Sequence, residues 1–264
     1  IDQYFILHGG LFNESKNYIG RYLIKCQRNF FKKTIAISSY SKDIATKTGF
    51  DQNKIAIINN GVDLVKYDYL TKSDIMGDPS LLYIGRLEKI KGVDVLIKAF
   101  KTVQEKLPNS HLYIVGEGSE KVNYIKLCHN LGIDFYVSFI GYVPPSDKLY
   151  QYYKDCDILI LPSYVENFPI TLLEAMYFKI PIIATSIPGG VTEIIKNRIN
   201  GLLVEPGNSE GLAERIIELQ SDKKAQNTFT KYNYSLVCKE YTWNHIAKKY
   251  LSLFKKADQD KLKN

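Results

Sequence analysis

The sequence predicts an α/β fold made of doubly wound parallel sheets. Three observations support this prediction. Short apolar runs alternate with amphipathic segments from residue 80 to residue 204, as expected of consecutive β-α-β units. Some of these runs are unbroken, such as residues 158–161, and unbroken runs are typical of parallel strands covered on both faces. Most of the runs end at glycine or proline, where a strand turns into the next helix.

The N-terminal part of the chain is predicted to contain three strands and two helices. The strands occupy residues 4–10, 34–39 and 54–58, and the helices occupy residues 18–31 and 42–48. Ser41 is in position to cap the second of these helices. Because the chain starts with Ile1 rather than Met and enters a strand almost at once, we expect that the front of this domain is missing.

A second domain follows a polar segment at residues 63–79, which we interpret as a linker. Its six predicted strands are at residues 81–84, 111–115, 137–140, 158–161, 181–185 and 201–204. The intervening helices are predicted at residues 93–107, 120–131, 146–153, 170–178 and 192–196. Three further helices are expected at residues 209–220, 223–241 and 243–256. Strands separated by short helices imply right-handed crossovers and one open parallel sheet.

The chain therefore divides into four parts. Residues 1–62 are the remainder of a first Rossmann-like domain and residues 63–79 are the linker. Residues 80–240 form a second Rossmann-like domain, and residues 241–264 form a C-terminal helix that can pack back on the first domain. A chain of 264 residues, 45% of them hydrophobic and 24% charged, is long enough for two medium domains.

The net charge of +7 favours acidic partners such as nucleotides, anionic lipid headgroups or nucleic acid. The basic residues are dispersed, however, and the only dense run lies in the tail, at residues 255–263, where lysines alternate with aspartates. A nucleic-acid-binding function is therefore the least expected of the three.

The four cysteines lie far apart and form no C-x-x-C pair, so the sequence predicts no metal site and no redox pair. No apolar run approaches the roughly 18 residues that a membrane-spanning helix needs. We expect a cytoplasmic protein that works without a metal or an organic cofactor.

The first candidate site follows the strand at residues 81–84. Gly85 lets a ligand approach the backbone, and Arg86 and Lys91 supply two cations at the carboxyl edge of the sheet. Arginine forks two phosphate oxygens and lysine acts as a point charge, so the pair suits a diphosphate. The alternative is that both residues are exposed loop cations.

Two glycine-containing turns end the next strands. Residues 115–119, Val-Gly-Glu-Gly-Ser, begin like a dinucleotide fingerprint, but Lys121 stands where a third glycine would be. This stretch is either a tight strand-to-helix turn or a loop beside a nucleotide. Gly141 and Val143, at the end of another strand, are placed to present backbone groups to a flat base.

The stretch from Glu166 to Glu174 carries two acids and a helix start. Pro169 fits the first turn of the helix, where a missing N–H costs nothing. Glu166 lies in the loop and Glu174 lies about one and a half turns into the helix, so both can face a ligand at the helix N-terminus. A carboxylate can accept hydrogen bonds from two neighbouring sugar hydroxyls. Taken singly, each acid also fits a plain role, Glu166 as a solvated loop acid and Glu174 as an acid stabilised by the helix dipole.

The order of these motifs resembles a known family. G-R-L-x(3)-K-G, V-G-x-G, S-x(2)-E-x(7)-E, residues 188–193 (Pro-Gly-Gly-Val-Thr-Glu) and residues 200–204 (Asn-Gly-Leu-Leu-Val) are similar to the nucleotide-sugar domain of the family-4 retaining glycosyltransferases. Residues 60–63 (Asn-Gly-Val-Asp) look like the family's linker motif, and His8-Gly9 and Ser38-Ser39 look like the end of its acceptor domain. The resemblance spans residues 4–251 and implies the two-domain GT-B fold.

The resemblance implies roles residue by residue. Arg86 and Lys91, with Gly85, would hold the donor diphosphate, and Glu174 would bind the ribose hydroxyls. Glu166 and His8 would be the catalytic residues that face the donor sugar. The remaining assignments are backbone contacts to sugar and phosphate at Phe168, Ile170 and Thr171, and framing of the base by Gly141 and Val143. One departure is Pro169, which replaces a glycine of many relatives and removes one amide donor.

The function implied is the transfer of a hexose-type sugar from a nucleoside diphosphate sugar to a cell-envelope glycan or lipid-linked acceptor, with retention of configuration. Two alternatives remain open, a nucleotide-sugar epimerase of the same fold and an incomplete fragment that only binds a nucleotide sugar. The basic, aromatic residues 18–33 are either an ordinary amphipathic helix or a peripheral contact to the inner face of the plasma membrane.

Overall fold

A computed structural model describes residues 4–7, 33–64, 69–70 and 75–262, with side chains described between Lys33 and Lys255. His8 and the helix predicted at residues 18–31 lie outside the described residues, so their predictions stay predictions. Within the described chain, no helix is both long enough and apolar enough to cross a bilayer.

The first sheet has three parallel strands, β1 (Tyr4–Leu7), β2 (Lys33–Ala36) and β3 (Ile55–Ile57), in that order. Helix α1 (Ser39–Lys47) connects β2 to β3. The prediction that Ser41 caps this helix is wrong. Ser38 is the N-cap residue, because its backbone is extended and its Oγ accepts a hydrogen bond from Ser41 N. Ser41 lies inside the first turn, buried against Ser38.

The second sheet has six parallel strands, as the alternation predicted. They are β4 (Ser80–Ile84), β5 (His111–Val115), β6 (Val137–Gly141), β7 (Ile158–Leu161), β8 (Ile182–Thr185) and β9 (Leu202–Val204). Their spatial order is β6-β5-β4-β7-β8-β9. The winding direction therefore reverses between β4 and β7, and in open α/β sheets such a reversal opens a crevice at the carboxyl ends of the strands.

Helices cover both faces of the six-stranded sheet. They are α2 (Val93–Lys106), α3 (Lys121–Leu131), α4 (Asp147–Asp155), α5 (Ile170–Tyr177), α6 (Gly190–Ile194), α7 (Ser209–Ser221) and α8 (Lys223–Glu240). Successive strand residues enter different cores: Leu82 packs in the core that includes α4 and α5, and Leu81 packs in the core that includes α2 and α7. Both residues are fully buried, which explains the unbroken apolar runs.

Helix α6 begins two residues before its predicted start at 192, and it ends earlier than predicted. The backbone N–H of Lys196 donates to the side chain of Asn200 at 2.6 Å instead of continuing the helix. Asn200 is itself fully buried and bonded to Asn233 of α8. This polar contact between distant segments sets the end of α6.

The C-terminal helix α9 (Trp243–Leu262) packs on the first sheet. Its Ile246 is fully buried in a cluster with Ile35 of β2 and Ile58. A backbone bridge joins Val62 to Thr242, just before the helix begins. The chain therefore leaves the first sheet near residue 62 and returns to it at residue 242.

Candidate functional site

The loops that follow β4 and β7 are packed against each other at the carboxyl edge of the six-stranded sheet. Tyr164 N donates to Ile90 O at 2.9 Å. Gly92 has a left-handed φ of 64°, and a side chain there would collide with the carbonyl of Pro162. Glycine at position 92 is therefore what allows the two loops to meet at the switch point of the sheet.

Lys91 and Glu166, which the sequence placed in separate motifs, form an ion pair across this contact. Lys91 Nζ lies 2.7 Å from Glu166 Oε1, and the two side chains are only 14% and 12% exposed. Ser163 Oγ donates to the same oxygen at 2.8 Å. Thr185 of β8 donates in turn to Ser163 O. A cation and a carboxylate are thus held at a fixed place beside the start of α5.

Arg86 has a different environment from Lys91. Its side chain is 68% exposed and pairs with Glu88 at 2.7 Å, a contact that the motif did not suggest. Its carbonyl accepts a hydrogen bond from the Tyr83 hydroxyl at 2.8 Å. Burial raises the pKa of Tyr83 far above its ordinary value, so this hydroxyl stays a donor. The backbone at Arg86 is fixed while its guanidinium reaches into solvent.

The Val-Gly-Glu-Gly stretch supports the loop that carries Arg86. Side chains at Gly116 and Gly118 would collide with the carbonyls of Gly85 and Leu87. Leu87 N donates to Glu117 O at 2.8 Å, and Glu120 N donates to Leu87 O at 2.9 Å. These contacts favour the tight-turn interpretation of the stretch.

Gly141 and Val143 flank an exposed aromatic residue. Gly141 has a φ of 83°, and its carbonyl accepts a hydrogen bond from Gly116 N. Val143 is buried in the core, so its side chain does not face the edge of the sheet. Tyr142 between them is 71% exposed. The sequence motifs predicted only backbone contacts to a base in this turn. An aromatic residue directly after a strand-ending glycine would have been a signal for Tyr142 as well.

The N-terminus of α5 lies beside the Lys91–Glu166 pair. Pro169 was predicted to lie in the first turn of the helix, but it is the N-cap residue, and no side chain caps the helix there. The backbone of Phe168 was predicted to contact the sugar and phosphate. Its carbonyl already accepts a hydrogen bond from the side chain of Asn60, at 3.3 Å. The N–H groups of Ile170 and Thr171 lie in the first turn, where a helix presents donors to an anion.

Glu174 does not share the environment of Glu166. Its Oε2 accepts a hydrogen bond of 2.5 Å from the hydroxyl of Tyr153, a residue of α4 that is fully buried. Burial raises the pKa of the Glu174 carboxyl, and the hydrogen bond from Tyr153 opposes this shift. The sequence predicted Glu174 as a site residue but gave no indication of Tyr153.

Glu193, the last residue of the Pro-Gly-Gly-Val-Thr-Glu motif, contacts the first domain. Its Oε1 accepts hydrogen bonds from Ser39 N at 2.8 Å and from Ser39 Oγ at 2.5 Å. Gly189 lies directly against Tyr40, where an added Cβ would be 2.8 Å from the tyrosine Cβ. The start of α1 and the start of α6 therefore meet, beside the edge that carries the candidate site.

No cluster of three or more histidine, cysteine or acidic side chains suited to a metal ion occurs among the residues described.

Known proteins resemble both the sequence and the fold. The model of the glycosyl transferases group 1 family matches residues 69–236. An uncharacterized glycosyltransferase of Methanocaldococcus jannaschii is 29% identical over 228 residues, which are 82% of this chain and 58% of that protein. An N-acetyl-alpha-D-glucosaminyl L-malate synthase of Bacillus anthracis is 27% identical over 214 residues, or 81% of this chain and 54% of that protein. The chain thus spans little more than half the length of these relatives.

A solved structure shows the same fold at lower sequence identity. Anabaena HepE, in complex with UDP and glucose, superimposes with a TM-score of 0.84 and covers 97% of this chain and 72% of its own, at 22% identity. The predicted GT-B type of α/β fold is confirmed, with the chain corresponding to part of such proteins. Because the family model matches more than half of the 264 residues, this chain belongs to the glycosyl transferases group 1 family.

Proposed function

We propose that this chain binds a nucleoside diphosphate sugar at the carboxyl edge of the six-stranded sheet, as the donor half of a retaining glycosyltransferase. The observation that carries the proposal is the Lys91–Glu166 pair beside the uncapped N-terminus of α5. A cation and first-turn N–H groups suit a diphosphate, while a carboxylate at the same place suits the hydroxyls of a sugar.

The nucleotide is proposed to be a uridine diphosphate sugar. This proposal is supported by family membership and by the UDP and glucose in the structure of Anabaena HepE. Glu174 would bind the ribose, and the backbone at Gly141 and Val143 would frame the base. Tyr142, exposed between these two residues, is a further candidate for contact with the base.

The proposed mechanism is substitution on one face of the donor sugar. Lys91 and Arg86 stabilise the negative charge that develops on the leaving diphosphate as the anomeric carbon becomes oxocarbenium-like. The acceptor hydroxyl enters on the side from which the nucleotide leaves, which retains the configuration. Glu166, and His8 from the first domain, would face the donor sugar. The two cations supply this charge stabilisation without a metal.

The acceptor is proposed to be a cell-envelope glycan or a lipid-linked sugar, handled on the cytoplasmic side of the membrane. The three described cysteines, Cys128, Cys156 and Cys238, are free thiols, which is consistent with a reducing compartment. The basic residues 18–33 would provide the peripheral membrane contact.

Titration calorimetry with UDP, GDP and ADP tests the donor site. We expect UDP to bind and Lys91→Ala to weaken UDP binding about 10- to 100-fold, as for the loss of a charged hydrogen-bond partner. Lys98→Ala is the matched control, because Lys98 lies on the exposed side of α2 and pairs with Asp94. Equal UDP affinity in the parent protein and in Lys91→Ala would contradict the assignment.

Transfer is tested with UDP-glucose and a panel of other UDP-sugars, with and without membrane glycolipid extracts. Release of UDP that depends on the extract, together with an α-linked product by NMR from an α-linked donor, is expected of a retaining transferase. A changed donor sugar without an extract would indicate an epimerase. UDP binding with neither transfer nor hydrolysis would indicate a nucleotide-sugar-binding fragment.

A further inference from the structure

We infer that Tyr153 is a positioning residue for the nucleotide, which holds one oxygen of the Glu174 carboxylate so that the other oxygen meets the ribose. This inference rests on the proposed function, since it assigns the ribose to Glu174. It adds a residue that lies outside every motif of the sequence and that reaches the site from another helix.

The geometry of the contact restricts both partners. The Tyr153 hydroxyl lies 2.5 Å from Glu174 Oε2, a distance typical of a hydrogen bond to a charged oxygen. The Tyr153 ring is stacked on Phe178, with the ring centres 5.4 Å apart and the planes within 9°. Tyr153 is fully buried, so its ring, and with it the direction of its O–H, is fixed by packing.

Glu174 is held by one oxygen and open at the other. Its neighbours on α5, Leu173 and Ala175, are fully buried, whereas Glu174 itself remains partly exposed. Within the described chain, Tyr153 is the one residue that donates a hydrogen bond to this carboxylate. An ionised carboxylate accepts up to about four hydrogen bonds, so Glu174 keeps capacity for the two hydroxyls of a ribose.

The chemistry of the pair fits an orienting role. Burial raises the pKa of Tyr153 well above its ordinary value, so Tyr153 remains a hydrogen-bond donor at every physiological pH. A protonated phenol donates one hydrogen bond, and the Glu174 carboxylate accepts it. The same hydrogen bond favours the ionised form of Glu174, which is the form that accepts hydrogen bonds from sugar hydroxyls.

The test compares UDP with 2′-deoxy-UDP, which lacks one ribose hydroxyl. Binding of both nucleotides is measured by calorimetry for the parent protein, Tyr153→Phe and Tyr150→Phe. Tyr150 is the matched control, because it lies on the same helix and stacks on the same Phe178 at 5.5 Å without bonding to Glu174. We expect Tyr153→Phe to bind UDP about tenfold more weakly, and 2′-deoxy-UDP more weakly by a smaller factor, because only its 3′-hydroxyl reaches Glu174. Tyr150→Phe should keep the parent's preference for UDP.

An unchanged ratio of the two affinities in Tyr153→Phe, with or without a loss of melting temperature, would overturn the inference and leave the donor site standing. A parent protein that binds neither nucleotide would overturn the donor site as well. If Tyr153→Phe does not fold, Glu174→Gln is compared with Glu174→Gln/Tyr153→Phe, where no buried charge is left unpaired. We then expect Glu174→Gln alone to discriminate between the nucleotides, and equal discrimination by the two variants would overturn the inference.

Discussion

At the scale of single residues, the two acids of the Glu166–Glu174 stretch do different work because different partners reach them. Glu166 meets Lys91 and Ser163, whereas Glu174 meets Tyr153. The sequence presents both as loop or first-turn acids near a helix N-terminus. The side chains that distinguish them come from other loops and helices. Their roles toward a nucleotide sugar therefore remain predictions that single substitutions can test.

Because Lys91 is paired with Glu166 in a buried place, we expect replacement of Lys91 to destabilise the protein more than replacement of the neighbouring Arg86. Lys91→Ala leaves a carboxylate with 12% exposure unpaired, which we expect to cost about 2 kcal/mol in the free energy of unfolding. Arg86→Ala breaks an exposed pair and should cost no more than about 0.5 kcal/mol. Urea unfolding measures both values. Equal losses would show that Glu166 is well solvated without Lys91.

The raised pKa of Glu174 predicts a pH dependence of nucleotide binding. The ionised carboxylate is the hydrogen-bond acceptor, so the ribose contact is complete above the raised pKa and is lost as the pH falls through it. Calorimetry with UDP between pH 4 and pH 8 follows this loss. Glu174→Gln does not titrate at this position, so its curve lacks the contribution of Glu174. Superimposable curves for the parent and Glu174→Gln would contradict the assignment.

At the scale of elements, glycines in the turns after β4 and β5 allow close contacts between loops. Gly92 admits the carbonyl of Pro162, and Gly116 and Gly118 admit the backbone of residues 85–87. These contacts position Lys91 and Arg86 at the edge of the sheet. These positions therefore require glycine because a side chain would collide with the neighbouring backbone, as well as because the chain turns there.

Two glycines with positive φ separate these effects. Gly116 has a φ of 145° and faces the carbonyl of Gly85, while Gly132 has a φ of 66° and no atom within 4 Å of an added Cβ. Gly132→Ala should cost about 1 kcal/mol through backbone strain alone. Gly116→Ala should cost at least about 3 kcal/mol, because the collision adds to the strain, and it should also weaken UDP binding.

Thermal or urea unfolding of both variants provides the measurement, with UDP calorimetry as the second readout. A Gly116→Ala protein that is as stable as Gly132→Ala and binds UDP like the parent would mean that the first loop is not held by its neighbour.

At the scale of the whole molecule, the first sheet and the larger domain are joined at several places among the described residues. Ser39 at the start of α1 donates to Glu193 of α6. On the other side, α9 follows the larger domain and packs Ile246 between Ile35 and Ile58. Helix α9 thus contributes to the core of the first sheet, although it is far from that sheet in the sequence.

This arrangement predicts that Ile246 stabilises the first sheet. Ile246→Ala removes a fully buried side chain and should cost about 2 to 4 kcal/mol. Leu251→Ala, on the same helix at 56% exposure, should change stability by less than about 0.5 kcal/mol. Hydrogen exchange of the β2 and β3 amides reports where the loss falls. Unaltered protection of these strands in Ile246→Ala would contradict a shared core.

Local sequence patterns were enough to predict the order and type of most of the described helices and strands. The bounds of β5 and β7 agree with the predicted runs at 111–115 and 158–161, because apolar stretches closed by glycine or proline carry this information locally. The six-stranded parallel sheet and the family follow from the same local patterns in their order. The C-terminal end of α6 and the cap of α1 were missed, because the side chains of Asn200 and Ser38 accept hydrogen bonds from the backbone there.

Which side chains meet depends on the folded arrangement of elements that are distant in the sequence. Lys91 lies 75 residues from Glu166, Tyr153 lies 21 from Glu174, and Ser39 lies 154 from Glu193. The periodicity of apolar residues indicates which face of a helix or strand is buried, but it does not indicate which residue of another element packs against that face. Those partners are set by the strand order and by the packing of loops and helices on the sheet. Folding is therefore what brings the charges together, buries the Tyr153 hydroxyl and shifts the pKa values.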